Sequence, residues 1–98
     1  MIYVTYGNIE EAKKIVSCLL EKKLISCANL FPVQSAYWWK SRIENSDEVV
    51  SILKAKKENW ERVKNEIEKL HSYKTSCIVK IDVEANKDFE EWINSAIS

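Results

Sequence analysis

Hydrophobic positions at the start of the chain change from strand-like to helical spacing. The first six residues, MIYVTY, are rich in β-branched and aromatic side chains, which favours a short strand. Gly7 and Asn8 follow, and Glu11 lies three residues after Asn8, a version of the capping box that begins helices. We therefore predict a helix over residues 9–22, and its apolar side chains share one face: Ala12, Ile15, Val16, Leu19 and Leu20.

Two stretches of β character follow, and a polar segment separates them. Residues 26–40 are rich in β-branched and aromatic side chains, with Pro32 marking a bulge or a sheet edge near the beginning. Residues 41–48, SRIENSDE, are polar and turn-like, and residues 49–56, VVSILKAK, resume the β pattern. The pattern predicts an unusually long strand that forms an extended hairpin with its partner.

The second half of the chain predicts a helix, a strand and a further helix. The segment KENWERVKNEIEKL is predicted to form an amphipathic helix. Its apolar residues are three, four and three positions apart, at Trp60, Val63, Ile67 and Leu70. The segment SCIVKIDVE alternates between apolar and polar residues, which predicts a strand with one half-covered face. The segment NKDFEEWINSAIS begins with Asn86, a potential helix N-cap. A short C-terminal helix is predicted there, because these apolar residues would lie on one side of it: Phe89, Trp92, Ile93 and Ala96.

The order of these elements predicts the fold class. The order β-α-β-β-α-β with a terminal helix matches the ferredoxin-like, or split βαβ, pattern. This is an α+β fold in which an antiparallel sheet carries two helices on one face, here with a long hairpin between the second and third strands. No repeat, linker or low-complexity segment divides the 98 residues. We therefore expect a single domain over residues 1–98.

The segment SAYWWKSRIE places two tryptophans side by side in the long predicted strand. Neighbouring side chains of a strand point to opposite faces, so Trp38 and Trp39 leave the backbone in opposite directions, with Tyr37 on the face of Trp39. The chain's two main helices cover only one face, and an uncovered large aromatic side chain marks a partner surface. We therefore predict self-association through these three residues. Trp38 is expected to face the partner, because its side of the strand is the more polar, and Trp39 is expected to pack against its own subunit. A hairpin that overhangs its own subunit would instead place both at the interface.

Composition and charge narrow the classes of function. The 15 Lys and Arg residues balance 15 Asp and Glu residues, so no global positive field attracts nucleic acid or an acidic membrane. No stretch approaches the ~20 apolar residues that a membrane-spanning helix needs. Three cysteines without a C-x-x-C pair indicate reduced thiols rather than a disulfide framework. We therefore expect a cytoplasmic protein that binds neither nucleic acid nor membranes.

Few residues in the chain are suited to metal binding or catalysis. His71 is the only histidine and lies where a helix is predicted to end. Its ring either caps the last carbonyl groups of the helix or joins the Cys77 thiolate in a soft nitrogen and sulfur site for copper or zinc. Cys27 lies among apolar residues, where a cysteine usually packs as a small hydrophobic side chain, and Cys18 is interpreted in the same way. The single glycine excludes a Gly-rich phosphate loop.

The order of these segments resembles that of a known family. The run KLISCANLFPVQSAYWWKSRIENSDEVVSILKAK is similar to the core signature of the CutA divalent-cation-tolerance proteins. That signature runs roughly K-L-x-A-C-x-N, S-x-Y-x-W-K-G-x-I and E-x-x-x-x-x-K-T. The later LHSYKTSCIVKIDV resembles the family's H-P-Y-x-x-P-E-I segment, and FEEWI resembles its terminal Y-L-x-W-I. The similarity spans nearly the whole chain.

The resemblance implies a ferredoxin-like subunit, a tight homotrimer and a link to copper and other divalent metals. In such a trimer the long hairpins of neighbouring subunits pack together. Cys27 falls on the cysteine of the family's C-x-N motif, and His71 on the histidine of its H-P-Y segment. Tyr37 and Trp39 fall on further positions of the signature.

The chain also departs from the family pattern. Ser41 replaces the usual Gly, Ser72 replaces the usual Pro, and Cys77 lies in a pair that is Pro-Glu in many members. Val4 falls where some members carry a metal-linked cysteine, and a valine side chain cannot bind a metal. A metal site in this chain is therefore either absent or assembled differently, in which case we expect it to involve His71 and Cys77 before Cys27.

The leading hypothesis is a non-enzymatic homotrimer linked to divalent-metal tolerance, which needs no cofactor and binds copper or another metal ion weakly. One alternative is a ferredoxin-like RNA-binding module, in which aromatic side chains on the sheet stack on bases. The chain lacks the basic K/R-G-F/Y motif and the positive charge of such modules. The second alternative is a small thiol enzyme that uses Cys27 or Cys77, which requires an activated thiolate.

Overall fold

A four-stranded antiparallel sheet forms the centre of the computed structural model, which describes residues 1–97. Its strands are β1 (Ile2–Tyr6), β2 (Cys27–Trp39), β3 (Arg42–Lys54) and β4 (Ile78–Lys80). They lie in the order β2-β3-β1-β4, and every neighbouring pair is antiparallel. The predicted ferredoxin-like α+β fold is confirmed.

Three α-helices accompany the sheet: α1 (Ile9–Glu21), α2 (Trp60–Leu70) and α3 (Lys87–Ala96). The predicted cap of α1 is present, because the Glu11 backbone N–H donates to Asn8 Oδ1 at 2.8 Å. A 3-10 turn, Lys57–Asn59, leads into α2, where the sequence predicted continuous α-helix. In the described part of the chain, no helix is long and apolar enough to cross a membrane.

The core lies between one face of the sheet and the helices α1 and α2. Side chains that alternate along β1 meet the apolar stripes of both helices, and the buried cluster consists of Ile2, Val4, Tyr6, Ala12, Ile15, Val16, Leu19, Leu24, Ile25, Leu53, Val63 and Ile67. The phenol of Tyr6 is satisfied inside this core by the Ser51 hydroxyl at 2.7 Å. Burial raises the pKa of Tyr6 to about 12, so its ring stays neutral.

The hairpin of β2 and β3 is longer than the sequence predicted. Residues 42–48 were expected in a turn but belong to β3, and the turn consists of Lys40 and Ser41 alone. The prediction was wrong because a strand that projects away from the core has no buried face, so its sequence lacks the alternation that identifies a strand. Both turn residues have positive φ, 50° and 64°, as a type I′ turn requires.

Much of this hairpin has no third strand beside it. The last pair between β1 and β3 joins Tyr6 to Val49. The part of the hairpin beyond that pair begins at Val33 and Glu48, and we call it, residues 33–48, the overhang. It contains seven residues of β2 and is therefore about 20 Å long. A two-stranded ribbon of this kind is marginally stable by itself and depends on contacts with something else.

The turn at the tip of the overhang gives a stability prediction. A side chain in the left-handed region is strained, and glycine removes that strain while it adds entropy to the unfolded chain. We expect Ser41→Gly to raise the free energy of unfolding by about 0.5–1 kcal/mol, measured by guanidinium unfolding at fixed protein concentration. The matched control, Gln34→Gly on an exposed strand position, should lower stability by about the same amount. A loss of stability in Ser41→Gly would contradict the account of this turn.

Candidate functional site

The tip of the hairpin carries the residues that the sequence predicted at a subunit interface. Tyr37, Trp38 and Trp39 precede the turn, and Trp38 pairs with Ile43 on the opposite strand. Trp38 is 72% exposed, Ile43 is 63% exposed and Trp39 is 52% exposed. Neither tryptophan is buried by its own subunit, although one was expected to pack there, because the tip extends beyond the last pair with β1. Trp38 and Ile43 share one face of the hairpin, Tyr37 and Trp39 share the other, and we call these four residues the hairpin patch.

A second exposed apolar surface lies at the opposite edge of the sheet, beside β4. It consists of Val79, Ile81, Val83 and Trp92, and we call it the C-terminal patch. Phe89 stacks on Trp92 with ring centroids 5.8 Å apart, and Phe89 also lines a cavity of about 440 Å³ together with Ile81 and Val83. The patch is therefore partly concave.

The two patches belong to opposite edges of the sheet. The hairpin patch is on β2 and β3, whereas the C-terminal patch begins on β4, and β1 lies between them. The residues 82–84 that follow β4 form no backbone hydrogen bond with the described residues. Each edge therefore offers unpaired backbone groups beside exposed apolar side chains, which is how a sheet edge invites another strand.

His71 lies at the C-terminal end of α2, as predicted, and its side chain is fully buried. Nε2 lies 2.7 Å from the Thr5 carbonyl oxygen, so Nε2 carries the proton and donates it. Nδ1 accepts a hydrogen bond from the Tyr73 backbone N–H at 3.0 Å. The ring also stacks on Tyr6. The imidazole is thus a structural link between the α2–β4 loop and β1, rather than a cap of the helix carbonyls.

Two acidic side chains fix the rest of this loop. The Glu11 carboxylate accepts from the Ser72 backbone N–H at 3.0 Å and from its hydroxyl at 2.6 Å. Burial opposes ionisation of Glu11, but the two hydrogen bonds from Ser72 and the neighbouring His71 ring together lower the pKa of Glu11. The Tyr73 hydroxyl donates to Glu48 Oε2 at 2.7 Å. Burial and the neighbouring Glu48 carboxylate raise the pKa of Tyr73 above its usual range.

The three candidate metal ligands do not lie in one place. The Cys77 carbonyl accepts from the Thr5 backbone N–H at 3.4 Å, so Cys77 and His71 contact the same residue of β1. Cys27 begins β2, three strand positions away from β4, which is about 14 Å or more. Cys77 is exposed and Cys27 is half-buried.

The arrangement of donors does not fit a preformed metal site. Within residues 1–97, no group of three or more His, Cys, Asp and Glu side chains is arranged to hold a metal ion. Both ring nitrogens of His71 are already in hydrogen bonds, so a metal ion at this residue has to displace Thr5 or Tyr73. Any binding there carries the free-energy cost of that exchange.

The contacts of Tyr73 and Glu11 could not be found from sequence spacing. Tyr73 and Glu48 are 25 residues apart, and Glu11 and Ser72 are 61 residues apart. The capping-box pattern assigned the Glu11 side chain to the start of α1, but its carboxylate accepts from Ser72 instead. The segment HSY was visible as a motif, and the motif did not indicate which residues it contacts.

Together the fold and the exposed edges define a class of protein, a ferredoxin-like subunit whose hairpin and C-terminal edge are both exposed. Residues 1–96 match the family model described as CutA1 divalent ion tolerance protein. The chain therefore belongs to the CutA1 family, in agreement with the resemblance found in its sequence.

Individual relatives agree with this assignment. The divalent-cation tolerance protein CutA of Archaeoglobus fulgidus is 41% identical over 97 residues, covering 98% of this chain and 95% of the relative. Among solved structures, that of the A. fulgidus protein, described there as periplasmic, has a TM-score of 0.96 at 41% identity and covers 99% of this chain and 96% of that chain. The crystal structure of CutA1 from Pyrococcus horikoshii has a TM-score of 0.95 at 38% identity, with the same coverage. These relatives support neither an RNA-binding module nor a thiol enzyme.

Proposed function

We propose that the protein is a non-enzymatic homotrimer linked to tolerance of divalent metals, copper in particular. The observation that carries the assembly is the pair of exposed apolar patches at opposite edges of one sheet. Monomers rarely expose large apolar side chains in clusters, and such clusters mark interaction sites. The metal link is supported by membership of a family described by divalent ion tolerance.

The position of the patches supports a ring of subunits. A two-fold dimer brings the same surface of both subunits together, whereas two different surfaces produce a head-to-tail contact. Here the hairpin patch of one subunit can cover the C-terminal patch of the next, and the free edge of β2 can pair with residues 82–84. Head-to-tail contacts close into a ring when the rotation between subunits allows it. The family resemblance supplies three as the number of subunits.

A role without catalysis is supported by the state of the possible reacting groups. His71 uses both ring nitrogens for structural bonds, so it is not placed as a general base for Cys77 or Cys27. The family is described by ion tolerance and not by a reaction. We also propose a cytoplasmic location, since three free cysteines suit a reducing compartment.

Metal binding itself is expected to be weak and to prefer soft ions. Cys77 is exposed, and its backbone carbonyl and the His71 ring both bind Thr5. Thiolate and imidazole together suit Cu(I). We expect Cys77→Ala to weaken Cu(I) binding about ten-fold or more in titrations against a competing chelator, with His71→Ala also weakening it. Cys27→Ala should leave the affinity unchanged. Equal affinity in the wild type and in both the His71 and Cys77 variants would refute this assignment.

The proposed function can be tested in cells that lack their own CutA protein and are sensitive to copper. The wild-type chain should restore growth at elevated copper, and a chain with the hairpin patch changed by Trp38→Ala should restore it less well. Leu20→Ala, an exposed apolar change on α1, serves as the control and should behave as wild type. Equal growth with the wild-type chain and with an empty vector would contradict the metal link.

A further inference from the structure

The overhang of the hairpin has one side-chain hydrogen bond to the rest of the subunit, within residues 1–97. That bond runs from the Tyr73 hydroxyl to Glu48 Oε2 at 2.7 Å. Glu48 is the first residue of the overhang after the last pair with β1, so the bond lies at the base of the overhang. The other side-chain bond of the overhang, from Ser46 to Tyr37, stays within the hairpin.

Tyr73 is itself held firmly by the body of the subunit. Its backbone N–H donates to His71 Nδ1, and its ring lies 4.8 Å from the buried His71 ring, measured between centroids. The preceding residue, Ser72, is bound by the Glu11 carboxylate of α1. The hydroxyl that reaches Glu48 therefore belongs to a side chain whose position is set by α1, α2 and β1 together.

The Tyr73 ring lies close to Gly7, the one glycine of the chain. A methyl group placed on Gly7 would lie 3.2 Å from the Tyr73 hydroxyl oxygen and 3.3 Å from Cε1, closer than ordinary contact. Gly7 has no positive φ that would require a glycine. Its role here is therefore to let the Tyr73 ring lie over the end of β1, where it reaches Glu48.

We propose that the bond between Tyr73 and Glu48 fixes the angle of the overhang and thereby sets the affinity between subunits. This inference rests on the proposed assembly through the hairpin patch. The overhang acts as a lever, because a rotation of ~10° at its base moves a tip ~20 Å away by ~4 Å. Packed interfaces match to within fractions of that distance, so a free hinge would lose contacts with the next subunit. Tyr73 and Glu48 are thus positioning residues for assembly.

The test compares variants that differ by single atoms or groups. Tyr73→Phe removes the hydroxyl and keeps the ring against His71, and we expect it to speed exchange of subunits between isotope-labelled and unlabelled trimers about ten-fold or more. Glu48→Gln keeps an oxygen that accepts the bond and should stay within about three-fold of wild type. Ser26→Ala, which loses a side-chain hydrogen bond to the Lys54 carbonyl outside the overhang, is the matched control and should leave subunit exchange as in the wild type.

A second measurement distinguishes local loosening of the overhang from a general loss of stability of the subunit. Amide hydrogen exchange in Tyr73→Phe should become faster in residues 34–47 and remain unchanged in β1, whereas global destabilisation would raise both. Gly7→Ala, which displaces the same ring from the other side, should reproduce the pattern.

Three results would overturn the proposal. Subunits of Tyr73→Phe could exchange at the wild-type rate, or subunit exchange could be faster in Glu48→Gln alone. Amide hydrogen exchange in Tyr73→Phe could also increase as much in β1 as in residues 34–47. A wild-type chain that is monomeric would instead contradict the proposed assembly, which distinguishes the two failures.

Discussion

Replacing His71 with alanine is expected to lower the free energy of unfolding by about 3 kcal/mol, the largest effect of any single side chain outside the apolar core. The substitution removes a fully buried ring that stacks on Tyr6, which leaves a cavity. It also leaves the Thr5 carbonyl and the Tyr73 backbone N–H without their partners. Guanidinium unfolding at fixed protein concentration, without added metal, measures this loss.

The control for this prediction is the neighbouring residue. Ser72→Ala removes an exposed hydroxyl bond to Glu11 and should cost about 1 kcal/mol or less, because the backbone N–H of residue 72 still binds Glu11. If His71→Ala were as stable as Ser72→Ala, the structural role of the imidazole would be wrong.

Replacing Trp38 with alanine is expected to weaken the trimer about 30-fold or more in its dissociation constant, which corresponds to ~2 kcal/mol. Trp38 is the most exposed of the large apolar side chains in the hairpin patch, so in the proposed trimer its packing comes from a neighbouring subunit. The subunit itself should keep its fold, because the core between the sheet and the two helices does not include this residue. Sedimentation velocity over a dilution series gives the dissociation constant.

Two further variants make the Trp38 result specific. Leu20→Ala changes an exposed apolar residue on α1 and should leave the dissociation constant as in the wild type. Trp39→Ala should also weaken the trimer, since Trp39 is half-exposed and does not support its own subunit's core. An unchanged sedimentation profile for Trp38→Ala under dilution would show that Trp38 is not at the interface.

The fold could be predicted from sequence wherever a buried face imposes a period. The apolar stripe of α1, the steps of Trp60, Val63 and Ile67, and the short β-rich run before Gly7 all correspond to observed elements. Prediction was less accurate where no face is buried in the subunit. Residues 42–48 appeared turn-like, and the strand predicted from SCIVKIDVE is limited to Ile78–Lys80. The alternation continues beyond Ile81, which is hydrogen-bonded to Met1 just before β1 begins, as expected if the partner strand of this segment belongs to another subunit.

Only part of the candidate site could be predicted from the sequence. The exposure of a tryptophan before the turn could be predicted, because two adjacent tryptophans on a strand cannot share one face, but the exposure of both was not. The network of His71, Tyr73, Glu48 and Glu11 could not, because it joins the α2–β4 loop to β1, β3 and α1 across long sequence separations. Sequence motifs identify such residues, but only the packed structure shows which atoms they bind.

Sedimentation equilibrium of the purified wild-type chain tests the proposed trimer. We expect a single species with three times the 11.5 kDa mass of the chain at micromolar concentration, independent of added metal or chelator. A monodisperse species of 11.5 kDa under the same conditions would contradict it.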